Sequence, residues 1–269
     1  MASLLESAKE IARESGAILQ HFYERHIPYE LKGEFDLVTE ADRASEKLVV
    51  ERLRARYPTH SIIGEEGGKR TGTSEYCWYV DPLDGTTNFA HGFPMFNVTM
   101  AVEREGELMA GVVYDPLRDE MFAAERGGGA YLNNRRIHVS KAPHLKDCLM
   151  ATGFPNQTRN QSVNIHFYHQ LAMATHGVRR GGSAAIDLAY VACGRLDAFW
   201  EFGLNPWDMA AGILLVQEAG GTVTDMNGGP HNLRSPHIVA DNTVIHPEIL
   251  QIFSELFSGN CRVPMPQLR

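Results

Sequence analysis

Between residues 96 and 140 the chain alternates with a period of two, and that period admits a sheet and little else. Phe96, Val98, Met100 and Val102 fall on one side, and Glu105-Gly106 supplies a turn. Val112, Val113 and Tyr114 continue the pattern up to Asp115-Pro116, and residues 121–124 and 137–139 repeat it. Gly127, Gly128, Gly129 and Asn133-Asn134 separate these runs with residues suited to turns. The spacing predicts a meander of strands.

Helical spacing surrounds it. Leu4, Leu5, Ala8, Ile11, Ala12, Ile18, Leu19 and Phe22 define an amphipathic first helix that ends before Pro28. A second helix runs from Thr39 to about Arg56, with Leu48, Val49 and Leu53 inward and Tyr57-Pro58 as its stop. Ile62-Ile63 and Trp78-Tyr79-Val80 are expected as short buried strands. In the second half, residues 167–175, 184–193, 209–219 and 247–257 are expected as helices, with strands at 196–202 and from Val223. A boundary near 140–150 would divide the 269 residues into lobes 1–145 and 146–269. The pattern is a mixed α/β one, sheets covered by helices.

Composition excludes several classes of function. The net charge is −8 and no long Lys/Arg run occurs, so nucleic acid is not expected as the main ligand. Cys77, Cys148, Cys193 and Cys261 are scattered without a CxxC pair, which argues against a zinc site or a disulfide framework and for a reduced, cytoplasmic setting. Glu6, Glu10 and Glu14 interrupt any apolar run at the start, so no signal peptide is expected. No stretch approaches the roughly 18 apolar residues of a membrane span, so no membrane partner is expected.

Four acidic places stand where the surrounding pattern is rigid. They are Asp36-Leu37-Val38-Thr39-Glu40-Ala41-Asp42, Gly64-Glu65-Glu66, Asp81-Pro82-Leu83-Asp84-Gly85-Thr86-Thr87 and Trp207-Asp208. In the third, Pro82 stiffens the turn so that Asp81, Asp84 and a backbone carbonyl can face one point. Carboxylate and carbonyl oxygens are the donors Mg²⁺ prefers. Gly85 lets the backbone approach a ligand, and a helix starting after Thr86 would offer N–H groups to a phosphate. Each segment also has a plainer reading. Residues 81–85 can be a simple turn, Glu65-Glu66 a solvated loop, Asp208 an acid favouring a helix dipole, and Thr39-x-x-Asp42 a capping box. An EF-hand loop fails, because position twelve from Asp81 is Gly92 rather than Glu.

Asp81-Pro-Leu-Asp-Gly-Thr86, Trp207-Asp-Met-Ala-Ala-Gly212 and Gly220-Gly221 together resemble the signatures of the inositol monophosphatase family. The Gly64-Glu65-Glu66 turn and the segment from Asp36 to Asp42 match the same family in the expected order, and the resemblance runs from the first helix to about residue 245. It implies a layered αβαβα sandwich of the inositol monophosphatase/fructose bisphosphatase type, often a homodimer, and Mg²⁺-dependent hydrolysis of a small phosphate monoester. Thr87 follows Thr86 where nucleotidases and histidinol phosphatases of the family more often carry Lys, and Arg180-Gly-Gly-Ser-Ala-Ala185 and Glu201-Phe-Gly-Leu-Asn-Pro-Trp207 resemble bacterial inositol-type members. Inositol monophosphate is therefore the expected substrate. Fructose 1,6-bisphosphate, a 3′-phosphoadenosine nucleotide and histidinol phosphate are alternatives, as is an idle binding or regulatory protein on the same fold.

The resemblance also assigns roles. Glu65, Asp81 and the Leu83 carbonyl would hold one Mg²⁺, and Asp81, Asp84 and Asp208 a second, with a third, weaker ion near Glu65. Thr86, backed by Asp42, would orient and deprotonate the attacking water, with Lys32 a further candidate beside it. Gly85 and Thr86 would bind phosphate through their N–H groups. Asp84, Gly182, Ser183, Ala184, Glu201 and Asp208 would face the substrate, although Ser183 can equally be a helix N-cap and Glu201 a solvated strand-end acid. Lithium sensitivity is expected of such a site.

Overall fold

Two sheets divide the strands between them in the computed structural model, which describes residues 3–25, 29–31, 37–65, 67–154 and 162–265. The first sheet has eight strands, in the order β10-β9-β8-β7-β6-β5-β3-β4. Its members are β3 (Ser61–Gly64), β4 (Gly68–Arg70), β5 (Tyr76–Asp84), β6 (Asn97–Arg104), β7 (Glu107–Asp115), β8 (Glu120–Glu125), β9 (Gly129–Leu132) and β10 (Arg135–Arg136). The second has five, in the order β12-β11-β13-β15-β14: β11 (Leu149–Thr152), β12 (Gly177–Arg179), β13 (Ala198–Phe202), β14 (Thr222–Thr224) and β15 (His237–Asp241). A hairpin of β1 (Tyr29–Leu31) and β2 (Leu37–Thr39) stands apart. The helices are α1 (Leu4–Tyr23), α2 (Glu40–Arg56), α3 (Thr86–Ala90), α4 (Asn164–Ala174), α5 (Ala184–Ala192), α6 (Pro206–Glu218) and α7 (His246–Phe257).

The period-two run is the meander β6 to β10, antiparallel throughout. Its alternation sorts the side chains between two cores. Val98, Met100, Val102, Val112 and Met121 pack under α1 and α2, with Ile11, Leu19 and Val49. Ala101, Val113, Phe122 and Ala124 point the other way, onto α5, α6 and the inner face of the second sheet. A third core lies on the outer face of that sheet, where Met150, Trp200 and Val239 meet Phe167 of α4 and Ile249 and Phe253 of α7. The layers thus run α1/α2, first sheet, α5/α6, second sheet, α4/α7, the αβαβα order the resemblance implied. Gly111 permits the close approach in the middle, since a Cβ there would lie 2.9 Å from the Ala211 Cα of α6.

One expected strand, at residues 137–139, does not form. β10 stops at Arg136, before residues 137–139. The Ile137 N–H reaches the Ala130 carbonyl at 2.9 Å, and the Val139 N–H reaches Ala219 at the end of α6 at 3.2 Å. Ile137 and Val139 pack against the middle core, which draws this stretch off the sheet edge.

Candidate active site

β5 crosses the first sheet and delivers the central segment. Its pairing with β6 shifts register between Asp81 and Asp84, where Pro82 has no N–H to give the ladder. The irregularity turns both acids inward. Asp81 is 2 % exposed and its Oδ1 accepts the Leu83 N–H at 3.0 Å. Gly85 follows at φ 91°, and a Cβ there would lie 2.9 Å from the Met95 carbonyl oxygen, so the turn needs glycine. α3 starts at the next residue.

α2 supplies the second part. Thr39 caps it, with the Thr39 N–H donating to Asp42 Oδ2 at 2.7 Å and the Asp42 N–H to Thr39 Oγ1 at 3.3 Å. That capping box leaves Asp42 Oδ1 to face Thr86, whose Oγ1 stands 3.2 Å away. The same hydroxyl lies 3.0 Å from the Leu83 carbonyl, and having one proton it serves one acceptor at a time. Ser45, one turn after Asp42, donates to the Pro82 carbonyl at 2.9 Å and ties α2 to the end of β5. Both readings of Asp42 therefore hold together: it caps a helix and it partners Thr86.

α5 brings the third part against Asp84. Asp84 Oδ2 accepts from Ser183 Oγ at 2.6 Å, Asn97 Nδ2 at 2.9 Å and the Ala185 N–H at 3.1 Å. Ser183 also caps α5 by accepting the Ile186 N–H at 3.2 Å, so its capping does not exclude its place in the site. Asn88 of α3 donates to the Gly181 carbonyl at 2.9 Å and to Met95 at 2.7 Å. Gly182, Ser183 and Ala184 are thereby held beside the first sheet.

Asp208 and Glu201 complete the set. Asp208 sits in the first turn of α6 and its Oδ2 accepts the Asn205 N–H at 2.7 Å. Glu201 lies on β13 and is only 7 % exposed, which rules out the solvated strand-end reading. Its carboxylate packs on Gly153, where any added methyl group would collide with it.

Burial and mutual repulsion raise the proton affinity of these acids. Asp81 is pushed well above the ordinary carboxylate range, first by burial and then by the charges of Glu65, Asp84 and Asp208. Burial raises Asp84 too, against the hydrogen bonds from Ser183, Asn97 and the backbone of Ala185 and Gly85. Asp208 is pushed up to about 7 by burial, against the Asn205 hydrogen bond. Burial and then the charge of Asp187 raise Glu201, with Arg180 opposing. Glu65 follows β3 and faces the same cluster through its effect on Asp81. Lys32, Asp36 and Glu66 lie outside the described residues.

Two participants were not singled out from the sequence. Asp187, 2 % exposed, stands on the otherwise apolar α5 beside Arg180, Asp84 and Glu201. A lone acid in an apolar helix was the available signal. Asn97 is fully buried at the start of β6; it was hidden inside the period-two run.

The donor chemistry fits a hard divalent cation. Every candidate is an oxygen donor, and Asp81, Asp84 and Asp208 each have one carboxylate oxygen pinned by the hydrogen bonds above, which fixes the direction of the other. Four clustered acids, Asp81 and Glu201 buried and Asp84 and Asp208 half-buried, call for a counter-charge. Among the described residues, no three His, Cys, Asp or Glu side chains already form a complete ligand set around one point. The fit rests on donor type and charge.

The sequence profile described as the inositol monophosphatase family matches residues 1–257. The chain belongs to the inositol monophosphatase family. Nus factor SuhB of Pseudomonas aeruginosa is 50 % identical over 251 residues, 90 % of this chain and 93 % of that protein. Inositol-1-monophosphatase of Mesorhizobium japonicum is 43 % identical over 257 residues, 95 % and 94 % of the two chains. The solved inositol monophosphatase from Anabaena (Nostoc) superposes with a TM-score of 0.86 at 42 % identity, covering 93 % and 95 % of the two chains. Membership in the inositol monophosphatase family, with relatives of these names over nearly the whole chain, makes the protein a phosphatase.

Proposed function

We propose that this phosphatase hydrolyses inositol monophosphate to inositol and phosphate, with Mg²⁺ as its cofactor. The observation that carries the reading is the oxygen cluster of buried Asp81 and half-buried Asp84 and Asp208 around the Gly85 turn, with buried Glu201 beside it. Glu65, Asp81 and the Leu83 carbonyl would hold one Mg²⁺, and Asp81, Asp84 and Asp208 another. Bound Mg²⁺ would neutralise the phosphate and favour the deprotonated state of a water.

The chain's own groups do the rest. Thr86 Oγ1 accepts a hydrogen bond or proton from the attacking water while passing its own proton toward Asp42 Oδ1. The backbone at Gly85 and Thr86, free of a side chain at Gly85, seats the phosphate. Water oxygen bonds to phosphorus, the ester P–O bond breaks, and the leaving alkoxide takes up a proton as the alcohol. Ser183, held against Asp84, and Glu201 would bind the polyol, since a carboxylate can accept from two hydroxyls at once. The reading extends to inhibition by Li⁺, a homodimer and a cytoplasmic setting, all supported by family resemblance.

The names of relatives favour one further role. Relatives called Nus factor SuhB are 44–50 % identical to this chain, so a Nus-factor role beside catalysis is the second reading. An Asp81→Asn variant would separate the two, by losing phosphatase activity while keeping any such role. The substrate is tested by comparing kcat/KM for inositol 1-phosphate, fructose 1,6-bisphosphate, a 3′-phosphoadenosine nucleotide and histidinol phosphate. Inositol 1-phosphate is expected to lead, and preference for another ester would replace the substrate assignment.

A further inference from the structure

Asn97 is 0 % exposed, and its amide nitrogen donates twice: to Asp84 Oδ2 at 2.9 Å and to Ser183 Oγ at 2.8 Å. Ser183 in turn donates to the same Asp84 oxygen at 2.6 Å. The three residues close a ring. They come from β6, the end of β5 and the cap of α5, so the ring joins the first sheet to the helix layer behind it.

The ring has a direction. An ionised carboxylate offers only lone pairs, so the NH₂ end of Asn97 must face Asp84. That amide also fills a lone pair of Ser183 Oγ. The hydroxyl, which accepts the Ile186 N–H as well, keeps its single proton for Asp84. Asn97 Oδ1 has no hydrogen-bond partner, although its surroundings are closed to solvent. A buried acceptor without a partner is destabilising. β6 would gain from an apolar residue here, as at Ala101 on the same face.

We infer that Asn97 is a positioning residue for this reaction: it aims the Asp84 carboxylate and locks the Ser183 hydroxyl, so that the cation donor and the substrate-facing turn are held in one fixed relation. The inference rests on the function proposed above. Asn88 supports the same turn from α3 through Gly181, and the Ala185 N–H reaches Asp84 Oδ2 from α5; the ring adds the side-chain donors that reach Asp84. Removing the amide takes one of three donors from Asp84 Oδ2 and lets Ser183 turn its proton elsewhere, which loosens the aim of the carboxylate. Both donor aim and substrate seat then loosen together, although Asn97 touches neither ligand.

The test uses the full chain with Asn97→Ala, the near-isosteric Asn97→Leu, Ser183→Ala and the Asn97→Ala/Ser183→Ala double variant. Mg²⁺ binding is measured by calorimetry without substrate, and kcat and KM with inositol 1-phosphate at saturating Mg²⁺. Wild type that binds Mg²⁺ and turns over the ester is the control; if it does neither, the proposed function fails and this inference falls with it. With that control in hand, Asn97→Leu is expected to melt within a few degrees of wild type yet bind Mg²⁺ about ten- to hundredfold more weakly, with a raised KM. The double variant should be little worse than the poorer single, because both act through one ring. Should Asn97→Ala fail to fold, Asn97→Leu still decides the Mg²⁺ result. Wild-type Mg²⁺ affinity and KM in Asn97→Leu, or losses that multiply in the double variant, would overturn the inference.

Discussion

Thr86 Oγ1 lies 3.2 Å from Asp42 Oδ1, across 44 residues of sequence. Asp42 is held from its other oxygen by the cap of α2, so the pair is fixed from both sides. Thr86→Ala should lower kcat by about 10²–10⁴-fold, the usual range for a lost proton-transfer group, while Thr86→Ser recovers most of it. Steady-state kinetics at saturating Mg²⁺ checks this. Near wild-type kcat in Thr86→Ala would remove the hydroxyl from the mechanism.

Asp208 separates a cap from a cation donor. Asp208→Asn keeps an oxygen to accept the Asn205 N–H but gives up the charge. Turnover is expected to fall by about 10²-fold or more while the melting temperature barely moves. The reverse pattern, lower stability with turnover intact, would make Asp208 a helix cap alone.

Glu201 tests the substrate rather than the chemistry. It is buried beside Asp187, Asp208 and Asp84, and the proposed function gives it the role of acceptor for a polyol hydroxyl. Glu201→Ala removes a charge-assisted hydrogen bond worth roughly 1.5–3 kcal/mol, a ten- to hundredfold fall in kcat/KM for inositol 1-phosphate. A simple aryl phosphate has no ring hydroxyls, so its hydrolysis should change little. Equal losses for both substrates would assign Glu201 to the general architecture of the site.

His60 gives a pH dependence away from the acids. Its Nδ1 accepts the Trp78 indole N–H at 3.0 Å, and the ring stacks between Tyr57 and Tyr76. Burial lowers its pKa from the ordinary 6.5. The folded state thus takes up a proton less readily than the unfolded one, and the stability His60 contributes is present above 6.5 and lost as the pH falls below it. His60→Phe keeps the stacking but leaves the buried Trp78 N–H without its acceptor, at a cost of about 1–3 kcal/mol. Its melting temperature should trail wild type clearly at pH 8, and the gap should narrow at pH 5. A gap that stays constant would show that His60 does not titrate against folding.

Much of this architecture is written locally. The period-two run of Val98, Met100 and Val102 and the helical spacing of Leu4 to Phe22 each encode one face, and each face found its core. Strands β11, β12 and β15 were not legible, because they owe their existence to partners far along the chain, and β4 and the β1–β2 hairpin were missed because three residues are too few to show an alternation. β15, for example, lies between β13 and β14. The site divides in the same way. Residues 81–87 and Trp207-Asp208 announce themselves as compact motifs, and the family resemblance joined them. The ring of Asn97, Asp84 and Ser183 joins residues up to 99 apart and no local pattern points to it. Residues 137–139 show the opposite error, where correct alternation was overruled by the pull of α6.

The central claim is that the clustered carboxylates of Asp81, Asp84 and Asp208 work with Mg²⁺ to hydrolyse a phosphate monoester. Phosphate release from inositol 1-phosphate by metal-stripped protein, followed through a Mg²⁺ titration, addresses it most directly. The account predicts negligible release after EDTA, saturable recovery with Mg²⁺ and loss of that recovery when Li⁺ is added. Full activity in the stripped protein, or none at any Mg²⁺ concentration, would contradict it.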